Sequence, residues 1–165
     1  MNLALVDDLD YDLNDLQKLF SEYFSLIHEK SNYYLYLSGE EFLADFCPGK
    51  FDAVFLDTLM DGINGIETAR RLRSLDTSIP VIFITIEESF ALEGYTVQAM
   101  DYILKPASAH KLRELLGRVR AKLDAEKSQT FLLKNLNGTW RFCLCDILYF
   151  YSDRRLVYLV TEKGE

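Results

Sequence analysis

Long hydrophobic runs are missing from this 165-residue chain, and nothing in it approaches the ~18 consecutive apolar residues of a membrane span. No basic segment precedes the short apolar run at its start, Met1-Asn2-Leu3-Ala4-Leu5-Val6, so a secretory leader is not expected. Cysteine is scarce and odd in number, Cys47, Cys143 and Cys145, with no framework spacing, which points to a reducing compartment. A cytoplasmic location is the expectation. Cys143 and Cys145 have no His or further Cys beside them, a poor zinc site, and all three thiols are expected to be small buried hydrophobes. A glycine-rich loop after the first apolar run is also lacking, which argues against a nucleotide or flavin cradle. Basic residues are outnumbered, with a formal charge of −8. Residues 126–165 hold six Lys/Arg against five Asp/Glu, so the acidic excess lies in residues 1–125. Such a surface repels nucleic-acid phosphates.

What is present is ordinary globular material, 49% hydrophobic and 27% charged. The length accommodates one full domain and a remainder. Four apolar runs have strand length: Leu3–Val6, Phe51–Leu56, Val81–Ile84 and Met100–Leu104. Each is apolar on both faces, as a parallel sheet covered by helices requires. Tyr33–Leu37 reads as a further strand nearer an edge. Between them, Leu13, Leu16, Phe20, Phe24 and Ile27 recur at helical spacing, as do Ile66, Ala69, Leu72 and Leu75. Ser38-Gly39-Glu40-Glu41 caps a short helix through Phe46. Phe90, Ala91 and Tyr95 mark a weaker helix, and Leu112, Leu115, Leu116, Val119 and Leu123 a fifth. Strand and helix thus alternate five times through about residue 125. The predicted fold is α/β, a doubly wound, five-stranded parallel sheet of flavodoxin-like type, followed by a short all-β tail.

In that architecture the ligand site lies at the carboxyl ends of the strands. The first strand ends at Asp7-Asp8, the third at Asp57-Thr58 and the fourth at Thr85; Lys105-Pro106 follows the fifth. Three carboxylates, a hydroxyl and an ammonium then meet at one sheet edge. Such carboxylates repel one another unless a cation lies among them. Hard oxygen ligands suit Mg²⁺, which commonly bridges carboxylates and phosphate. A carboxylate beside the metal can attack a phosphoryl donor, with Lys105 neutralising the transferring group and Thr85 donating to it afterwards. Taken singly, each residue is more often a turn, cap or solvated loop. Their joint order along the chain carries the reading.

Residues 1–125 resemble a response-regulator receiver domain. Asp7-Asp8 matches the acidic pair and Asp57 the phosphoacceptor. Met60 and Gly65 follow Asp57 at the family's +3 and +8 positions; Thr85 matches the switch hydroxyl, Tyr102 the switch aromatic, and Lys105-Pro106 the lysine with its typically cis proline. The resemblance implies Mg²⁺ held by Asp7, Asp8, Asp57 and the backbone carbonyl of Leu59. It also implies a sensor histidine kinase as phosphate donor, and a phosphoacceptor signalling domain limited to self-phosphorylation and self-dephosphorylation rather than an enzyme. Two positions depart from the pattern. Asp61 stands where the family usually has Pro, and Ile86 follows Thr85 where a small residue is common, placing a branched side chain near the phosphoryl site. A degenerate receiver acting as a phosphorylation-independent interaction domain stays open as an alternative. So does a haloacid-dehalogenase-like phosphatase, although Leu59 occupies the position where that family has its second Asp.

After Glu126 the texture becomes β-like: Phe131–Lys134, Trp140–Leu144, Ile147–Tyr151 and Leu156–Thr161, with turns at Asn137-Gly138 and Asp153-Arg154 and no helix expected. The stretch Asp146-Ile147-Leu148-Tyr149-Phe150-Tyr151 resembles the opening of a LytTR-type DNA-binding domain. Residues 126–165 are therefore expected to be a linker and an incomplete N-terminal part of that domain. DNA binding is expected of the complete parent protein and weak or absent in this chain, with a homodimer as further partner and no membrane.

Overall fold

The computed structural model describes residues 1–127, 130–135, 138–154 and 156–161. The chain divides into two compact units, Met1–Gly117 and Arg118–Glu165.

The first unit is a five-stranded parallel sheet in the order β2-β1-β3-β4-β5. Its strands are β1 (Asn2–Val6), β2 (Asn32–Tyr36), β3 (Ala53–Leu56), β4 (Val81–Thr85) and β5 (Asp101–Leu104). The helices alternate with them: α1 (Asp10–Leu26), α2 (Gly39–Asp45), α3 (Gly65–Leu75), α4 (Ala91–Thr96) and α5 (Ala109–Lys127). The order reverses between β1 and β3, so the switch point lies between the ends of those two strands, where Asp7 and Asp57 are found.

Alternation along each strand assigns its side chains to opposite layers. Ala4, Val6, Val54 and Leu56 join a core with Phe42, Phe46, Phe51, Ile66 and Leu72. Leu3, Leu5 and Phe55 are buried as well, and the Phe55 ring lies 4.6 Å from that of Phe20 on α1. The apolar stripe predicted for α1 is its buried face, Leu13, Leu16, Phe20 and Phe24.

Capping chemistry sets two helix starts. Ser38 accepts the Glu41 N–H and the Glu41 carboxylate returns to the Leu37 N–H, while Asn64 accepts the Glu67 N–H at the head of α3. Gly65 is required by space: a Cβ there would lie 1.9 Å from the Asp57 carbonyl oxygen. The start of α3 can therefore sit directly against the end of β3.

The second unit contains two antiparallel hairpins, β6 (Thr130–Asn135) with β7 (Gly138–Cys143) and β8 (Ile147–Asp153) with β9 (Leu156–Thr161). Among the described residues, a 3₁₀ turn over Leu144–Asp146 corrects the expectation of a helix-free tail. Asn137 of the predicted turn and the side chains of Cys143 and Cys145 lie outside the described residues. Cys47 is exposed rather than buried, because it lies in the turn after α2 where its carbonyl accepts the Lys50 N–H.

Candidate functional site

The β1, β3 and β5 ends bring Asp7, Asp57 and Lys105 together. The Lys105 ammonium donates to Asp7 Oδ2 at 2.6 Å, Asp57 Oδ2 at 2.7 Å and Asp12 Oδ2 at 2.6 Å. Asp12 lies in the first turn of α1 and was not among the residues singled out from sequence. Its only sequence signal is a place five residues after Asp7, on a helix whose start abuts the strand end. Lys105 is joined to Pro106 by a cis peptide bond.

Asp7 and Asp57 are buried, the latter 6% exposed. Their second oxygens are tied locally: Asp7 Oδ1 accepts the Leu9 N–H at 2.9 Å, and Asp57 Oδ1 accepts the Leu59 N–H at 3.0 Å. Burial pushes the Asp7 carboxyl above its ordinary range, against the opposing pull of Lys105 and the Leu9 N–H. Burial also pulls the Lys105 ammonium down, but hydrogen bonds to Asp12, Asp57 and Asp7 outweigh it and hold the group above the usual lysine range. Three carboxylates around one ammonium leave an excess of negative charge in a confined space. A divalent cation among hard oxygen donors would neutralise it. Ligand-competent oxygens of Asp7, Asp12 and Asp57 all lie within 4.8 Å of one another, so the donor set fits such an ion.

The remaining predicted residues face elsewhere. Asp8 is at the rim, its Oδ2 accepting the Asp61 N–H at 3.0 Å, and thereby ties β1 to the β3–α3 loop. Glu40 supports the same loop by accepting the Ile63 N–H. Leu59 is exposed on that loop. Thr85 is fully buried and pairs with Thr58, Oγ1 to Oγ1 at 2.7 Å, rather than with a site carboxylate. The Tyr102 ring packs on Phe83 and its hydroxyl donates to the Glu87 carbonyl. Ile86 is 70% exposed. With Tyr11, Asp12, Ile84 and Lys105 it lines a cavity of about 420 Å³ that opens beside the carboxylates.

The response regulator receiver domain family matches residues 4–117. The chain belongs to that family. Receiver domains are signalling modules of two-component systems, and they bind Mg²⁺ at an acidic pocket such as this Asp cluster.

Among curated relatives, the positive alginate biosynthesis regulatory protein of Pseudomonas aeruginosa is 35% identical over 100% of this chain and 71% of its own length. The sensory transduction protein LytT of Oceanobacillus iheyensis is 36% identical over 54% of this chain. That match spans only 37% of the relative's length. Among solved structures, the response regulator TrrA of Thermotoga maritima, in complex with Mg²⁺ and a beryllium fluoride, is 26% identical with a TM-score of 0.62, covering 72% of this chain and 97% of that one. The homologues of this receiver domain are thus regulators of the LytT and LytR type. No helix among the described residues is long and apolar enough to cross a membrane.

Proposed function

We propose that this receiver domain is a phosphorylation switch in which Asp57 accepts a phosphoryl group from a sensor histidine kinase or a small phosphodonor. The observation that carries the reading is the convergence of Lys105 on Asp57 and Asp7 at the switch point of the sheet. The Asp57 carboxylate attacks the phosphorus, the P–N bond of a phosphohistidine or the P–O bond of acetyl phosphate breaks, the imidazole or acetate departs, and an acyl phosphate remains on Asp57. Lys105, which already touches Asp57 Oδ2, offsets the charge of the transferring group. Asp7, Asp8, Asp57 and the Leu59 carbonyl would hold Mg²⁺, as the family pattern implies, and the ion would supply charge neutralisation. Thr85 donates to a phosphoryl oxygen once it is in place, and Tyr102 moves with it as the conformational readout. The cavity between Tyr11, Ile86 and Lys105 offers the donor an approach.

Asp57 becomes modified and is restored by hydrolysis, so the domain works on itself and not on external substrates. Residues 1–125 form the receiver, and residues 126–165 a linker and the opening of a LytTR-type DNA-binding domain. The parent protein is a cytoplasmic transcription regulator whose phosphorylated form dimerises. The curated names of the homologues, transcriptional and sensory-transduction regulators, support this part.

Intact mass after incubation with Mg²⁺ and acetyl phosphate tests the switch. One added phosphoryl group is expected, absent without Mg²⁺ and absent in Asp57→Ala. Labelling that persists in Asp57→Ala rules out the assignment, and steady turnover of phosphate esters favours a phosphatase.

A further inference from the structure

Thr58, the residue after the phosphoacceptor, holds the hydroxyl that the switch has to move. Its hydroxyl bonds that of Thr85 at 2.7 Å, and both side chains are wholly buried. The Thr85 oxygen also accepts the Glu87 N–H at 3.3 Å. Tyr102 donates to the Glu87 carbonyl. Glu87 thus joins the threonine pair to Tyr102, through its N–H on one side and its carbonyl on the other.

The Thr58 backbone is pinned on both sides. The Asp57 N–H donates to the Val6 carbonyl, and the Thr58 carbonyl accepts the Gly65 N–H at the head of α3. Both backbones are held, since the Thr85 carbonyl accepts the Lys105 N–H at 2.8 Å, so the movement required of the pair is a turn of the Thr85 side chain about χ1. Resting on the assignment of Asp57 and Thr85 above, we propose that Thr58 is a positioning residue: a latch that holds the Thr85 hydroxyl off the phosphoryl site. A phosphoryl oxygen must draw Thr85 away from Thr58. The buried Thr58 hydroxyl then loses that partner, and because an unpaired buried hydroxyl is costly the pair opposes the movement. Two threonines that merely satisfy each other would leave phosphoryl binding indifferent to the loss of one hydroxyl; a latch would not.

The test compares wild type with Thr58→Val, which keeps the shape and removes the hydroxyl, and with Thr58→Ser, which keeps the hydroxyl. Thermal melts establish that each variant folds. The first readout, in the resting protein, is the Thr85 χ1 rotamer from methyl three-bond couplings. A single rotamer is expected in wild type and Thr58→Ser, and averaging in Thr58→Val. The second is beryllofluoride affinity in Mg²⁺, expected to tighten by about three- to tenfold in Thr58→Val, the size of one net hydrogen bond, and to stay near wild type in Thr58→Ser. A Thr85 rotamer that stays locked in Thr58→Val, or a beryllofluoride affinity that is unchanged or weaker there, overturns the latch. Wild type failing to bind beryllofluoride at Asp57 overturns the switch reading instead, and the rotamer measurement still decides whether Thr58 holds Thr85.

Discussion

Lys105 has three carboxylate partners and is only 14% exposed as a side chain. Removing one partner of a buried ion cluster costs more than the cluster ever contributed, because the remaining charges stay desolvated and unpaired. Lys105→Ala leaves Asp7 and Asp57 buried side by side without their cation. A loss of about 3 kcal/mol is expected in Mg²⁺-free denaturant unfolding. Mg²⁺ should recover more stability in this variant than in wild type, since the ion supplies the missing positive charge to the same oxygens. Equal Mg²⁺ responses in the two proteins would count against a shared site. Asp12 belongs to the same cluster, yet its neighbourhood in sequence gives no sign of it. Asp7 and Asp8 announce themselves at the end of an apolar run, whereas Asp12 looks like one more acidic residue in the first turn of a helix, where acids are common.

Among the elements, the α3–β4 connection shows how a short loop is held. Asp76 accepts the Ser78 N–H, the Ser78 hydroxyl and the Ile79 N–H. Burial works to raise its carboxyl, but these bonds and Arg73 prevail and hold it below the usual carboxylate range. A depressed carboxyl stabilises the fold above its unfolded pKa of about 3.9, and that contribution fades as pH falls through the folded value. Asp76→Ala should cost about 1 kcal/mol at pH 7, and the gap to wild type should close as urea melts are taken down to about pH 2. A gap that is constant across that range would mean the side chain acts by packing and not by charge. Arg73 extends the same clasp, with its guanidinium donating to the carbonyls of Val97, Gln98 and Ile79 and so tying α3 to the end of α4. This helix has only six residues, too short for propensity to sustain, and tertiary contacts such as these hold it.

Taken whole, the molecule joins a covered sheet to hairpins whose faces are open. On β8 and β9, Leu148, Tyr149, Phe150, Leu156 and Val157 are all exposed. An isolated two-stranded hairpin is marginal in water, and apolar side chains on both of its faces favour pairing with another surface. Sedimentation velocity on this chain should show concentration-dependent association, and Val157→Lys should shift it toward monomer without changing Asp57 phosphorylation. A monomer at all concentrations in wild type would exclude these hairpins as an adhesive surface.

Much of the fold was legible because its signals are local. Doubly apolar runs such as Val81–Ile84 suit a covered sheet, the 3.6-residue stripe of Leu13, Leu16, Phe20 and Phe24 faces a core, and Ser38 marks a helix start by its own hydrogen bond, whereas the Asn64 cap of α3 emerged only from the structure. The identity of the β-strand ends, and with it the meeting of Asp7, Asp57 and Lys105, followed from parallel topology alone. Contacts across the fold were not legible. Side-chain direction depends on which neighbours compete for each polar atom, and sequence spacing does not record that competition. Thr85 therefore turned out to face Thr58, Asp8 the β3–α3 loop, and Asp12 the lysine. Local residue patterns were enough to set the alternating architecture and the residue types at its working edge; which carboxylates share Lys105 and which hydroxyl holds Thr85 emerged from packing, because those pairings join residues tens of positions apart.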